Sequence, residues 1–406
     1  MNGSSRRPRL LVLNQYYWPG VEATANLLTE LCEALAADYE VTVVTGAVNA
    51  KLPERELRNG VEIVRVQSTA YDRSQLSRRA TNYFTYVAGV IRQGMRTERP
   101  DLVICMTDPP FLGAVARIVA GRFRVPLLVI AQDVFPEIAV ALGRLRNPVL
   151  VRALRLLVGT SMRRADRVVV IGDTMKRRIE EKGVESGRIR VIPNWGDASL
   201  TTPAPRDNEW ARKHKLVGKF VVMHFGNVGH AQDLDTLIRA TTLLRDLDDL
   251  TVPIIGVGAR REELIALARR LEADKVRFLP WQAYAQRALP ISAADIHVVG
   301  LAQGLAGYIV PSRLYGILAA GKPVIAAAEA ESETAQLVAE VGCGVVVEPG
   351  DPLALATVLR AAHNGAYDLD EMGRRARAFA ESASDRSIAV RRYRDVLDEL
   401  RVDGGR

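Results

Sequence analysis

Lys219-Phe220-Val221-Val222-Met223-His224-Phe225-Gly226-Asn227-Val228-Gly229-His230-Ala231-Gln232-Asp233 is the stretch whose reading settles the architecture of this chain. A β-branched, apolar run passes directly into a glycine-punctuated turn, and a helical pattern opens near Asp233. That succession is the start of a βα unit. It falls in the middle of a 406-residue chain that has already run through several such units, so the pattern begins a second time.

The same alternation extends on both sides. Before it, Arg9–Leu13, Glu40–Thr45, Val61–Val66, Asp101–Cys105, Pro126–Ala131, Arg167–Ile171 and Arg190–Ile192 read as strands, with helix-length segments such as Ala23–Ala37 and Arg78–Thr97 between them. After it come Thr251–Ile255, Lys275–Phe278, Ile296–Val299, Pro323–Ala326 and Gly344–Val347. Strand-helix alternation predicts parallel sheets covered by helices on both faces. Strands in this number exceed one compact open sheet, so the fold class is α/β with two doubly wound, Rossmann-like domains. The boundary is expected between Pro193 and Lys219, where Asn194–Asn208 lacks periodicity. A last helix over Asp385–Leu400 could pack on the second domain or cross back to the first.

Composition agrees with two packed cores: 48% of residues are apolar, and at roughly 100–200 residues per domain the length suggests two. Met1–Arg9 is polar and basic, Leu10–Leu13 is too short for a signal-peptide core, and no window has the ~18 apolar residues of a spanning helix. Cys32, Cys105 and Cys343 lack metal-ligand spacing and read as buried thiols in a reducing cytosol. The net charge of +8 is uneven. Residues 1–198 hold 29 basic and 20 acidic side chains, the remainder 26 and 27. The first half therefore faces an anionic surface or ligand. No nucleic-acid-binding motif accompanies that charge.

In doubly wound sheets, ligands lie beyond the carboxyl ends of the strands. There, Gly226 and Gly229 permit close backbone approach to a diphosphate at the following helix start, or form an ordinary turn with Asp233 as cap. Asp233 and Asp235 resemble an Asp-x-Asp metal motif but sit in a helix's first turn, so no metal is expected. Gly256-Val257-Gly258-Ala259-Arg260-Arg261 lacks the third glycine of a dinucleotide fingerprint. It is read as a turn beside a nucleoside, with Arg260 or Arg261 facing phosphate. Gly304 to Arg313, containing Tyr308, Pro311 and Ser312, is a glycine-rich loop ending where a helix Leu314–Ala320 begins. Its Pro-Ser start and Arg313 suit a diphosphate clamp.

In the first half, Tyr16, Tyr17 and Trp18 follow the first strand, with Glu22 and Thr24 at the next helix start. They can stack on and bind a sugar, or pack in the core. Asp133 and Glu137 follow another strand and are the carboxylates placed nearest a reacting sugar. Leu142–Arg167 carries seven arginines against one acid, interleaved with leucines and valines. It suits an anionic membrane face.

Together these segments resemble the retaining GT-B glycosyltransferases of family 4, closest to the bacterial O-antigen fucosamine transferase and colanic-acid glycosyltransferase subgroup. The markers are Asn14–Pro19, Thr107–Phe111, Asp133–Pro136, Val191–Trp195, Phe225–Gly229, Val310–Tyr315 and Ala319–Val324. The resemblance implies an acceptor-binding domain over 1–200, a nucleotide-sugar-binding domain over 201–384, a helix over 385–406 crossing back to the first, and chemistry in a central cleft. It also implies retention of configuration, no metal and no cofactor beyond the donor. Many members carry a Glu-x7-Glu pair where this chain has Tyr308 and Gly316, Arg and Lys where it has Asn227 and Gln232, and His-Asp where it has Gln132-Asp133.

The expected activity is transfer of a sugar, of the hexosyl class, from a nucleotide-diphosphate sugar to a lipid-linked saccharide in bacterial surface polysaccharide or glycoconjugate synthesis. The enzyme is expected to be cytoplasmic and peripheral on the inner face of the membrane. The clamp would be Gly226, Asn227, Gly229, Gln232, Pro311, Ser312 and Arg313, with Tyr308 nearby and the nucleobase at Gly256, Gly258 and a stacking Trp281. A nucleotide-sugar epimerase, or a catalytically lapsed nucleotide-sugar-binding protein, is the alternative.

Overall fold

A computed structural model describes residues 6–47, 52–66, 76–198, 200–282 and 286–404. The chain divides into two compact units, Met1–Pro193 with Ala389–Arg406, and Asn194–Ile388.

The first unit holds an eight-stranded sheet: β1 (Arg9–Leu13), β2 (Glu40–Gly46), β3 (Arg55–Arg58), β4 (Val61–Val66), β5 (Leu102–Met106), β6 (Leu127–Ala131), β7 (Arg167–Val170) and β8 (Ile189–Val191). Their order is β3-β4-β2-β1-β5-β6-β7-β8, parallel except for β3. β5 and β6 are buried at every residue, as strands covered on both faces must be. The second unit holds β9 (Phe220–Phe225), β10 (Leu250–Ile255), β11 (Val276–Leu279), β12 (Ile296–Gly300), β13 (Val324–Ala327) and β14 (Gly344–Val347), in the order β11-β10-β9-β12-β13-β14. All its pairs are parallel.

The expected strands all form, within a residue or two at their ends. β3 is the addition. It is short and charged, and it pairs antiparallel with β4 through the two-residue loop Asn59-Gly60, both at positive φ. Asn-Gly is the sequence signal for such a hairpin, and the apolar pattern used to find the other strands passes over it. The helix expected from Asp233 instead starts with a 3-10 turn, His230–Gln232, before the helix Leu234–Thr242. The helix after the glycine-rich loop is Arg313–Ala319, one residue earlier than expected.

The helix Arg386–Gly404 spans the junction at Ile388. Its later part is tied within the first unit by Glu399 to Arg190 (2.7 Å) and Arg167, and by Arg394 to Asp38 (2.8 Å). All three cysteines are buried and unpaired.

Candidate functional site

From β9, the second sheet is built outward both ways, through β10 and β11 on one side and β12 to β14 on the other. The carboxyl ends of β9 and β12 therefore flank the switch point, where loops leaving neighbouring strands part and open a crevice. Register places the remaining loops beside it. Phe225 is opposite Ile255, and Ile255 opposite Leu279, so the turns carrying Gly226, Gly256 and Trp281 lie in a row.

The glycines here serve the protein's own backbone. A Cβ on Gly256, at φ +152°, would stand 1.7 Å from the Gly226 carbonyl oxygen; one on Gly258 would stand 2.1 Å from that of Val228. Gly300 is similarly pressed against the Gln232 carbonyl, at 2.2 Å. In the turn expected beside a nucleoside, Gly256 and Gly258 are bare so that the β10 turn can pack on the β9 loop. The amide cradle expected at Gly226 and Gly229 is corrected. The Gly226 and Val228 N–H groups donate to the carbonyls of Ile255 and Val257, both at 2.9 Å. The Gly229 N–H donates to Gln232 Oε1 at 2.9 Å. An N–H pointed inward at an acceptor has nothing left for a phosphate. Asn227 is exposed at the tip of this loop.

Arg260 is likewise committed. It pairs with both oxygens of Asp235 and with Glu263, and these hydrogen bonds raise its pKa above the usual arginine range. Arg261 lies against Glu262 (3.5 Å), its guanidinium 5.8 Å from the Phe278 ring centre. With two carboxylates neutralising it, Arg260 is withdrawn as a phosphate ligand. Asp233 accepts from the Gly350 N–H at 2.8 Å.

Arg313 differs from both. It starts its helix at the switch point, and one terminal nitrogen donates to the Gly300 carbonyl at 2.9 Å. Its stem runs past Gly226, where a Cβ would come within 3.2 Å of Cδ. Its Nε is buried without an acceptor among the described residues. Burial pushes its pKa down to about 10. A half-buried cation with a buried donor unused is a strong attractor for an anion. His224 lies behind it, fully buried, with Nε2 3.2 Å from the Asn227 carbonyl. Burial, then the charge of Arg313, holds its pKa well below the ordinary histidine value, so this ring is neutral.

Ser312 precedes that helix in αR geometry and makes no side-chain capping bond. Pro311 accepts from the Leu314 N–H at 3.1 Å. Tyr308 is half-buried on a turn closed by its N–H to the Leu305 carbonyl. Trp281 is 38% exposed beyond β11.

In the first sheet the switch point falls between β1 and β5. The loops there are joined by the Gln15 N–H to the Asp108 carbonyl at 3.0 Å. Tyr16 is half-buried beside them, and Glu22 and Thr24 are half-buried at the start of the helix Ala23–Leu35. Tyr17 is corrected from sugar-stacking residue to core: it is 1% exposed, and burial raises its hydroxyl's pKa. Trp18 is 38% exposed, but the Arg58 guanidinium sits 3.6 Å from its ring centre, so one stacking face is taken. Asp133 follows β6, half-buried. Glu137 is corrected. Its oxygens bind Lys182 at 2.5 Å and Arg155 at 3.0 Å, a mostly buried brace rather than a carboxylate at a reacting sugar. Sequence reasoning missed Lys182, which lies 45 residues away.

Leu142–Arg167 contains the helix Pro148–Arg163, capped by Asn147. Val151, Val158 and Met162 are buried. Val149, Leu156 and Leu157 are exposed by 77%, 66% and 43%, and Ala153 lies on the same stripe. With Arg152 exposed beside them, they form an apolar face with a basic flank on the side away from the core. Among the described residues, no helix is long and apolar enough to cross a membrane.

Two doubly wound parallel sheets, with candidate ligand loops at a switch point in each, are the architecture of the GT-B glycosyltransferases. The profile described as "Glycosyl transferase 4-like domain" matches residues 22–195, and that described as "Glycosyl transferases group 1" matches 206–379. The chain belongs to glycosyltransferase family 4. It is 28% identical over 333 residues to the "Probable glycosyltransferase WbjE" of Pseudomonas aeruginosa, covering 80% of this chain and 82% of that one. It is 29% identical over 238 residues to WcaI of Escherichia coli K12, a glycosyl transferase assigned to colanic acid biosynthesis, covering 58% and 57%. Among solved structures, HepE of Anabaena in complex with UDP superposes with a TM-score of 0.75 at 18% identity, covering 96% of this chain and 100% of that one.

Proposed function

We propose that this glycosyltransferase takes a hexosyl group from a nucleotide-diphosphate sugar bound at the carboxyl edge of the second unit's sheet. It passes the group, with retention and without a metal, to a lipid-linked saccharide held by the first unit. The observation that carries the reading is Arg313: a half-buried guanidinium at the switch point, its Nε without an acceptor among the described residues. The UDP in the HepE structure and the family match support a nucleotide donor. The association of WcaI with colanic acid biosynthesis, and that of the structurally similar WaaG (TM-score 0.70, 18% identity) with lipopolysaccharide biosynthesis, support a surface saccharide as product.

In this reading the diphosphate lies between Gly226–Asn227 and Pro311–Arg313, with the nucleobase toward Trp281. As the glycosidic bond breaks, negative charge grows on the leaving diphosphate, and Arg313 meets that charge more strongly than the ground state. The sugar passes through an oxocarbenium-like state. Tyr16, Trp18, Glu22 and Thr24 contact the acceptor saccharide. The Pro148–Arg163 helix rests its apolar face on an anionic membrane, where the acceptor lipid is embedded, and Arg152 on its flank pairs with headgroups. Residence is then cytoplasmic and peripheral on the inner face of the membrane.

The experiment is a panel of nucleotide sugars screened by thermal shift, followed by transfer from the binding donor to lipid extracts. A bound donor raises the melting temperature. If no nucleotide sugar does so and none is consumed, the donor assignment is wrong.

A further inference from the structure

The loop from Leu301 to Val310 links β12 to the helix that begins at Arg313. Two of its glycines, Gly304 and Gly307, have φ of +79° and +76°. Leu305 and Ala306 between them are buried. The turn they form closes with the Tyr308 N–H on the Leu305 carbonyl at 3.0 Å. Glycines at positive φ turn nearby amides toward one side, a concavity that suits an anion. Here the anion comes from the chain itself. Glu329, just past the buried end of β13, accepts the Gly304 N–H on one carboxylate oxygen at 3.0 Å and the Ala306 N–H on the other at 3.2 Å.

Both oxygens are used, by two amides of one turn. A charge-assisted pair of this kind fixes position and orientation together. Upstream, the Ala302 N–H is held by the Ala231 carbonyl at 2.9 Å, which ties the loop to the one leaving β9. Downstream, Tyr308 follows two residues after the clamped Ala306. Of the acids near Glu329, Glu331 is exposed and Glu333 opens the next helix.

We infer that Glu329 is a positioning residue for donor binding: its carboxylate clamps the Gly304–Ala306 turn, and so sets where Tyr308 and the Pro311–Arg313 segment stand. The inference rests on the reading that this segment faces the donor diphosphate.

The test uses the full chain, with Glu329→Ala, Glu329→Gln and Glu331→Ala. Calorimetric titration with UDP, GDP, ADP and dTDP identifies the nucleotide that wild type binds. Glu329→Ala is expected to weaken that nucleotide about tenfold, roughly the loss of one charge-assisted contact. Glu329→Gln, with one oxygen left for two amides, falls between, and Glu331→Ala matches wild type. In turnover, the donor KM rises and kcat falls with the displaced Arg313, while the acceptor KM holds. A role confined to stability would move none of these. Unchanged donor affinity in Glu329→Ala, or an equal loss in Glu331→Ala, overturns the inference, and Glu329→Gln supplies the comparison if the alanine variant does not fold. Amide exchange of residues 302–308, measured without ligand, separates the two levels. Faster exchange in the Glu329 variants supports the clamp even if wild type binds none of the nucleotides, in which case the donor reading fails. Unchanged exchange overturns the clamp itself.

Discussion

A guanidinium that burial has already pushed down to about 10 gains more from an arriving phosphate than a solvated arginine does, because the phosphate restores the interactions that burial removed. Arg313→Ala is therefore expected to lower kcat by roughly a hundredfold or more, the size seen when one preorganised donor to a developing charge is lost. Arg313→Lys keeps the charge but not the fork, and should recover only part of the rate. Wild-type turnover in Arg313→Ala would remove this residue from the mechanism. Tyr17→Phe makes the opposite prediction. Its hydroxyl is buried in the core, so kcat and acceptor KM should stay at wild type, whereas a tyrosine hydrogen-bonding the sugar through its hydroxyl would show a raised acceptor KM. At this scale the sequence was legible unevenly. Val310-Pro311-Ser312-Arg313 marks its helix start to within a residue, because proline at such a start carries a definite geometry. The reason for Gly256 and Gly258 was not legible, because a bare Cα serves a ligand or a neighbouring carbonyl equally well, and only the structure shows the 1.7 Å and 2.1 Å approaches to backbone carbonyls.

Among elements, the Pro148–Arg163 helix makes the clearest demand. Its outer stripe of Val149, Ala153, Leu156 and Leu157 leaves apolar area in water, and covering one leucine contributes about 2 kcal/mol. Leu156→Glu with Leu157→Glu should reduce sedimentation with phosphatidylglycerol vesicles by at least roughly tenfold, leaving nucleotide binding intact. Co-sedimentation at wild-type level would exclude this face as the docking surface. The brace behind it is a separate matter. Glu137→Ala leaves Lys182, whose side chain is 10% exposed, without its carboxylate, at a cost of ~3 kcal/mol in urea unfolding. Adding Lys182→Met should restore much of that, because removing both charges leaves none buried alone. Amphipathic periodicity showed this helix in the sequence. It did not show which stripe faces the core, since both stripes contain valine and leucine.

For the whole molecule, buried neutral histidines make stability depend on pH. His297 is fully buried, with Nε2 2.9 Å from the Ile291 carbonyl, and burial lowers its pKa from 6.5 to about 4. Unfolded, the ring takes up a proton below about 6.5; folded, it does not until near 4. Its contribution is therefore whole above 6.5 and is withdrawn as the pH falls toward 4, by ~3 kcal/mol at most. The urea midpoint should fall across that window, and His297→Gln should flatten part of the fall. An identical slope in the variant would assign the acid sensitivity to other groups.

The sequence by itself determined the two parallel α/β sheets and the family. Those follow from period, punctuation and chain order, which are local properties of a chain. Tertiary structure decided which residues in the loops beyond the strands have hydrogen-bonding capacity left. Gly226 and Gly229 spend their amides on Ile255 and Gln232, Arg260 spends its charge on Asp235 and Glu263, and Arg313 retains a buried, unused donor. Glu137 meets Lys182 across 45 residues and Glu329 meets Gly304 across 25. Pairing between groups so far apart depends on how the strands are ordered in the sheet, and no local pattern in the sequence encodes it.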